Sequence, residues 1–431
     1  MRSPKMTAFL TACLMGTAAV MAIGGAEGQG LPIVGKPVGR LLDGVVEPVT
    51  DRLVDPTRGL INDVNALAQT RIDRLTRLVR DNRTALELDD QRNPAVKGQI
   101  IGAPASPEAL GSARAAGFSV LSDETIEGLD VRSVVLAVPS GMSLVQALKQ
   151  LRKVAPGEWS ANQLHFESGI VTPFSASSLV AESAASRPRI GIIDGGVARH
   201  PALAGVIEQR GFVSGAPAPS VHGTAIASLI VGEGSINGVI PRVPLLAADV
   251  YGRDPAGGNA LAIARAIGWM AQRGVPVVSI SLVGPPNLLL ARVIAAAQSR
   301  AMVIVAAVGN DGPAAPPAYP ASYPGVIAVT GVDGRNRALI EAGRALHLDY
   351  AAPGADMVAA NLEGGVSKIR GTSYAAPLVA SRIASHYDIS GATERAASLS
   401  AVDHEARDLG RSGPDRIYGR GLVCGDCATR R

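Results

Sequence analysis

Three side chains far apart in the chain have the types needed to turn a hydroxyl into a nucleophile: Asp194, His222 and Ser373. A serine hydroxyl attacks poorly at neutral pH unless an imidazole takes its proton, and a carboxylate can orient that imidazole. Asp194 ends the apolar run Ile192-Ile193 and is followed by Gly195-Gly196, which permit a tight turn and close backbone approach. His222-Gly223-Thr224 opens a helical stretch, and Gly371-Thr372-Ser373-Tyr374-Ala375-Ala376-Pro377 opens another, with the Ser373 hydroxyl near its positive end. Singly these signals are weak. A strand-end aspartate or a helix-opening serine is as often a cap, and a histidine at a helix start is more often structural.

The elements around them indicate how they could be placed. From residue 187 onward, apolar β-branched runs (190–193, 275–280, 302–308, 326–329) alternate with alanine-rich helical stretches (224–231, 259–273, 288–300). Continuous apolar strands alternating with helices imply a doubly wound parallel sheet covered on both faces. Ligands bind beyond the carboxyl ends of such strands, where Asp194 falls. Before this unit, residues 98–167 follow a β-α-β-β-α-β order, that of a ferredoxin-like α+β fold. Its expected strands are 99–101, 118–121, 131–138 and 163–166, and its helices are 107–116 (entered through Ser106) and 143–154. Small residues fill 168–186, which reads as a linker. Leu60, Val64, Leu67, Ile72, Leu75, Leu78 and Val79 recur at near-helical spacing over 56–86, within a leader and helical segment spanning 27–97. Such an amphipathic helix packs on a neighbouring domain; acidic residues on its polar face argue against a membrane surface.

Residues 1–26 read as an export signal, with Arg2 and Lys5 ahead of an uncharged apolar run and small residues around a cut after Ala26. An uncleaved anchor and a lipoprotein signal at Cys13 are the alternatives. Cleavage gives a secreted or periplasmic protein that leaves the membrane. The 47% hydrophobic and 18% charged composition suits a chain that buries large cores, and a net charge of only +4 without a basic block excludes no fold but points to no nucleic-acid partner. With Cys13 removed, only Cys424 and Cys427 remain, in the tail 424–431. Their C-G-D-C spacing fits a redox pair, half a zinc site or a disulfide, the last being the plainest in an oxidising compartment. No second Cys/His pair lies nearby to complete a zinc site.

Taken together, the three segments resemble the motifs of the subtilase family (S8), in the order Asp, His, Ser. The resemblance covers about 187–423 and includes Gly238-Val239-Ile240-Pro241, Ser279-Ile280-Ser281-Leu282, Val308-Gly309-Asn310-Asp311-Gly312 and Tyr319-Pro320-Ala321-Ser322-Tyr323-Pro324. It implies a serine endopeptidase without a cofactor, acting on polypeptides, with Asp194, His222 and Ser373 as catalytic triad. It also implies Asn310 as oxyanion donor and Ser281, Leu282, Val283 and Gly284 as the strand that pairs with substrate. By the same resemblance, 98–167 is a propeptide that assists folding and blocks the cleft, so the precursor processes itself. The chain departs from the family pattern in having Ala225 after His-Gly-Thr, Val283 where a glycine is common, and a short span 229–238 without the Asn-rich calcium loop. No metal is expected at that loop. The rival reading is a pseudoenzyme of the same fold that binds peptides or partners without cutting.

Overall fold

The structure, a computed structural model, describes residues 54–103, 106–167, 169–174, 190–203, 205, 207–387 and 394–427. The expected signal segment, residues 27–53 of the leader, and residues 168 and 175–186 of the expected linker lie outside the described residues.

The first element among the described residues is a helix, α1 (Val54–Asp81). A small α/β unit follows: β1 (Leu86–Leu88), β2 (Pro94–Gly102), α2 (Pro107–Ala115), β3 (Ser119–Ile126), β4 (Val131–Ala137), α3 (Leu144–Val154) and β5 (Trp159–Gln163). Its main strands lie in the order β5-β2-β4-β3, the ferredoxin-like arrangement, with β1 added as a hairpin partner of β2. Ser106 caps α2, and a Ser143–Gln146 capping box starts α3, so local sequence sets both helix starts. One face of this sheet closes its own core with α2 and α3 through Ile100, Leu110, Leu136, Leu148 and Leu151.

Two short strands come next, β6 (Phe166–Glu167) and β7 (Ile170–Phe174). The larger unit then contains β8 (Ile190–Asp194), β9 (Ile207–Gly211), α4 (Val221–Val231), β10 (Leu245–Asp249), α5 (Ala260–Gln272), β11 (Val277–Ile280), β12 (Leu282–Val283) and α6 (Leu288–Ser299). It finishes with β13 (Val303–Ala307), β14 (Ile327–Val332), β15 (Tyr350–Pro353), β16 (Met357–Ala360), β17 (Val366–Arg370), a 3₁₀ turn (Thr372–Tyr374), α7 (Ala376–His386) and α8 (Glu394–Glu405). Seven strands form a parallel sheet in the order β15-β14-β13-β11-β8-β10-β9. Successive side chains point to opposite faces, so both faces are apolar. Val303, Val305 and Ala307 join the core beneath α4 and α7, whereas Ile304 and Ala306 join the core beneath α5 and α6. Cys424 and Cys427 are joined by a disulfide.

The second face of the ferredoxin-like sheet does not meet solvent. Ile101, Ile126, Leu129 and Val135 enter the same core as α5 and α6. Close approach is possible because Gly268 has no side chain: a β-carbon there would lie 2.4 Å from the Glu127 carbonyl oxygen. Arg265–Glu124 (2.5 Å), Arg300–Asp130 (2.8 Å) and Arg210–Glu127 (3.1 Å) rim this contact. Such exposed pairs orient more than they stabilise.

Three sequence expectations need correction. The last strand of the small unit is β5, not 163–166: the chain breaks at Leu164-His165, and Phe166-Glu167 pairs instead with β12. Residues 170–174, expected in a linker, form β7 and pair with β17; Ile170, Val171 and Thr172 are β-branched types suited to extended structure. Within α1, Ile72 is 52% exposed, and the inward stripe runs through Leu67, Arg71, Leu75, Leu78 and Val79.

Candidate active site

Asp194 ends β8 and is buried; its Oδ1 accepts a 2.8 Å bond from the Gly195 N–H, which fixes the carboxylate at the turn. His222 occupies the first turn of α4, whose start is capped by the Ser220 hydroxyl accepting from the N–H groups of His222 and Gly223. A β-carbon on Gly223 would lie 2.2 Å from the Gly195 carbonyl oxygen, so only glycine lets the helix start rest on the Asp194 turn. His222 Nδ1 therefore sits 2.8 and 2.9 Å from the two Asp194 carboxylate oxygens. A ring N–H donating there leaves Nε2 as the basic nitrogen.

Ser373 is buried in the 3₁₀ turn before α7. Its Oγ donates to the Ser281 carbonyl at 3.2 Å, and the Ser281 hydroxyl donates back to the Ser373 carbonyl at 2.8 Å. The Tyr374 ring stands 5.4 Å from the His222 ring, which puts the two loops side by side. Asn310 follows β13, where its Oδ1 accepts from the Thr372 N–H at 2.9 Å. That bond orients the amide, and its buried Nδ2 has no hydrogen-bond partner among the described residues. A buried amide donor without a partner is costly, and it marks a place where an acceptor belongs.

The cleft strand is occupied by the chain's own N-terminal part. Leu282 pairs with Glu167 and Val283 with Phe166, antiparallel. Gly284 pairs instead with Tyr319, through bonds of 2.9 and 3.1 Å, so it closes the end of the pairing strand. Gly169 lies against the turn that carries Ser373: a β-carbon on Gly371 would be 2.8 Å from the Gly169 α-carbon and 2.7 Å from Asn310 Nδ2. Beyond it, Ile170 pairs with Arg370 at the start of β7. The chain thus crosses the site from one pairing strand to the other.

Several residues that the motifs did not single out complete this crossing. His165 is fully buried, its N–H donates to the Gly258 carbonyl at 2.8 Å, and its carbonyl accepts from the Tyr251 hydroxyl at 2.9 Å. Neither ring nitrogen of His165 has a hydrogen-bond partner among the described residues. Burial pushes its pKa down to about 4, against the opposing effect of the nearby backbone of Pro285, Gln163 and Gly258. The Glu167 carboxylate accepts from the Ser220 hydroxyl at 3.1 Å. Its pKa is raised, first by loss of hydration and further by the Asp194 and Asp249 carboxylates, with His222 and Ser220 opposing. Glu167, Asp194 and His222 have ligand-type atoms within 4.8 Å of one another, the one such grouping among the described residues. Only pairing across the cleft, invisible to local motifs, brings Glu167 there.

The Peptidase S8, subtilase family model matches residues 186–421. The chain belongs to the subtilase family. It is 30% identical to Subtilisin BL of Lederbergia lenta over 249 residues, spanning 56% of this chain and 90% of that protein. It is 32% identical to Subtilisin DY of Bacillus licheniformis over 256 residues, with the same coverages of 56% and 90%. The fold resembles fervidolysin from Fervidobacterium pennivorans, a keratinolytic enzyme related to subtilisin (TM-score 0.62, 18% identity, 77% of this chain and 61% of that one). It also resembles the epidermin leader peptide processing serine protease of Staphylococcus aureus (TM-score 0.57, 16% identity, 77% of this chain and 97% of that one). A subtilase identity supports a serine peptidase, and the parallel seven-stranded sheet is the subtilisin-like architecture.

Proposed function

We propose that this chain is an exported serine endopeptidase made as a precursor that cuts itself between Ser168 and Gly169. The observation that carries this reading is the register of Phe166-Glu167 on Leu282-Val283, with Gly169 against Gly371 and Ile170 pairing onward with Arg370. Strand addition of this kind is how extended peptides are held for cleavage. With Glu167 paired on one side and Gly169 beside Gly371 on the other, the bond between residues 168 and 169 is the one this reading presents to Ser373.

In this reading Ser373 Oγ attacks the Ser168 carbonyl carbon while His222 Nε2 takes the hydroxyl proton. Asp194 holds the imidazole tautomer and stabilises the imidazolium. Negative charge gathers on the former carbonyl oxygen, where Asn310 Nδ2 and the Ser373 N–H donate. Collapse breaks the C–N bond, and His222 passes its proton to the departing Gly169 amine. Water then enters, loses a proton to His222, and releases Ser168 as a carboxylate while Ser373 regains its proton. No cofactor is needed for these steps.

Residues 98–167 would act as propeptide and resident inhibitor, residues 1–26 as the export signal, and 187–423 as the catalytic domain. Support for the inhibitor role comes from the shared core with α5 and α6 and from the tail in the cleft. Other polypeptides would occupy the same strand once the tail leaves. Incubating purified wild-type and Ser373→Ala protein with casein tests the activity. Cleavage by wild type alone supports it, and equal cleavage by both, or by neither after removal of the N-terminal part, refutes it.

A further inference from the structure

Helix α1 precedes the ferredoxin-like unit and is not needed to complete that unit's sheet, yet it reaches the cleft. Its inward stripe lies on the loop that follows β13. Arg74 donates to both carboxylate oxygens of Asp311 at 2.9 and 3.1 Å, and Arg71 Nε lies 3.3 Å from the same carboxylate. One turn earlier, Leu67 fits the bare backbone at Gly312: a β-carbon there would lie 3.1 Å from Leu67 Cδ1 and 3.2 Å from its Cβ. Gly312 has φ +81°, so glycine suits the position on backbone grounds as well. One turn later, Leu75 is 8% exposed and shares a cavity with Val283, Asn310 and Asp311. At the far end, Leu78 and Val79 pack on Leu86 and Leu164, in the same cluster as Phe166 of the cleft-bound tail.

We propose that α1 is a second inhibitory element, which walls the 309–318 side of the cleft and braces the tail so that the site stays closed after the chain is cut. This rests on the reading of the chain as a self-cutting peptidase. The physical reason is bivalency. After a cut the tail is still tethered by the ferredoxin-like unit on α5 and α6, and a helix anchored at Asp311 adds a further linked contact that raises the effective concentration at which the tail rebinds. The ion pairs are partly exposed and individually modest, so the device is releasable rather than permanent. Leu67 and Leu75 supply apolar contact, while Arg71 and Arg74 set the register of the helix on the loop.

The test is the double charge reversal Arg71→Glu/Arg74→Glu in the full chain, which sets two carboxylates against Asp311 without touching the catalytic unit. In a Ser373→Ala background, hydrogen exchange of residues 309–318 reports docking without any need for catalysis; protection should fall. In the active chain, intact mass first establishes whether the backbone is cut, and the rate at which a fluorophosphonate probe labels Ser373 then reports access. Labelling should become roughly tenfold faster in the variant, as loss of one of several linked contacts allows. Arg71→Gln/Arg74→Gln should fall between the two and guards against misfolding of the reversed variant. Unchanged exchange would show that α1 does not hold the loop, and increased exchange with unchanged labelling would show that it holds the loop without inhibiting; either result overturns the proposal. If intact mass finds no cut in any active chain, the self-processing reading fails instead, and labelling of the uncut chains decides the role of α1 by the same comparison.

Discussion

Val283 points at Gly309: a β-carbon on that glycine would lie 3.1 Å from Val283 Cγ1. Val283 is on the strand that pairs with Phe166, and Gly309 immediately precedes Asn310. The valine therefore fills space between β12 and the Gly309–Asn310 loop, the two walls that would flank a bound peptide on the proposed reading. A β-branched side chain is stiff at χ1 and cannot swing aside. On the proposed reading this selects small residues before the cut, as Ser168 would be.

Replacing Val283 by glycine should accordingly relax specificity. A pocket separates substrates by roughly 1–3 kcal/mol per methylene, or about 10–200-fold. In Val283→Gly, kcat/KM for peptides with a bulky residue before the cut should rise by about tenfold or more relative to alanine peptides. Kinetics on a peptide series varied at P1 to P4 checks it. Identical ranking in mutant and wild type would make Val283 a packing residue only.

Asn310 offers a second test. Its Oδ1 is used by Thr372, while Nδ2 stands without a partner among the described residues. Asn310→Ala should lower kcat by roughly 10²–10³ and leave KM nearly unchanged, because the donor meets full negative charge only in the transition state. A loss carried mainly by KM would assign Asn310 to ground-state binding.

Acid should loosen the tail. His165 is held neutral when docked, with its pKa near about 4, and it regains an ordinary value near about 6.5 when released. Through His165 the docked state is fully stabilised above about 6.5 and loses about tenfold in affinity per pH unit as pH falls toward about 4, while the raised pKa of Glu167 on the same segment works in the opposite sense. Tyr251, bonded to the His165 carbonyl, has its pKa raised well above the usual phenol value by burial, so it stays neutral throughout and adds no pH dependence of its own. In the Ser373→Ala chain, hydrogen exchange of residues 164–167 should rise between pH 6.5 and 4.5, and His165→Phe should flatten that rise. A pH dependence unaltered in His165→Phe would place the sensitivity elsewhere.

The sequence carried the large features because their signals are strong. Runs such as Ile190–Asp194 and Val303–Ala307 are apolar on both faces, which only a covered parallel sheet satisfies. Asp194 and His222 meet because each sits at the end of such an element, with Gly195 and Gly223 permitting contact. The cleft-bound tail was not legible. Phe166-Glu167 is a two-residue strand whose partner is over a hundred positions away, too short for any periodicity and specified only by pairing. Ile72 misled for a related reason: it has helical spacing, but the Arg71 and Arg74 contacts with Asp311 turn the helix so that Ile72 faces solvent.

Self-cleavage is read by the intact mass and N-terminal sequence of the purified wild-type chain beside Ser373→Ala. Wild type should yield a fragment beginning at Gly169 and a companion ending at Ser168, and Ser373→Ala should remain joined across that bond. A wild-type chain that stays uncut, or is cut at the same bond when Ser373 is alanine, would contradict self-cleavage.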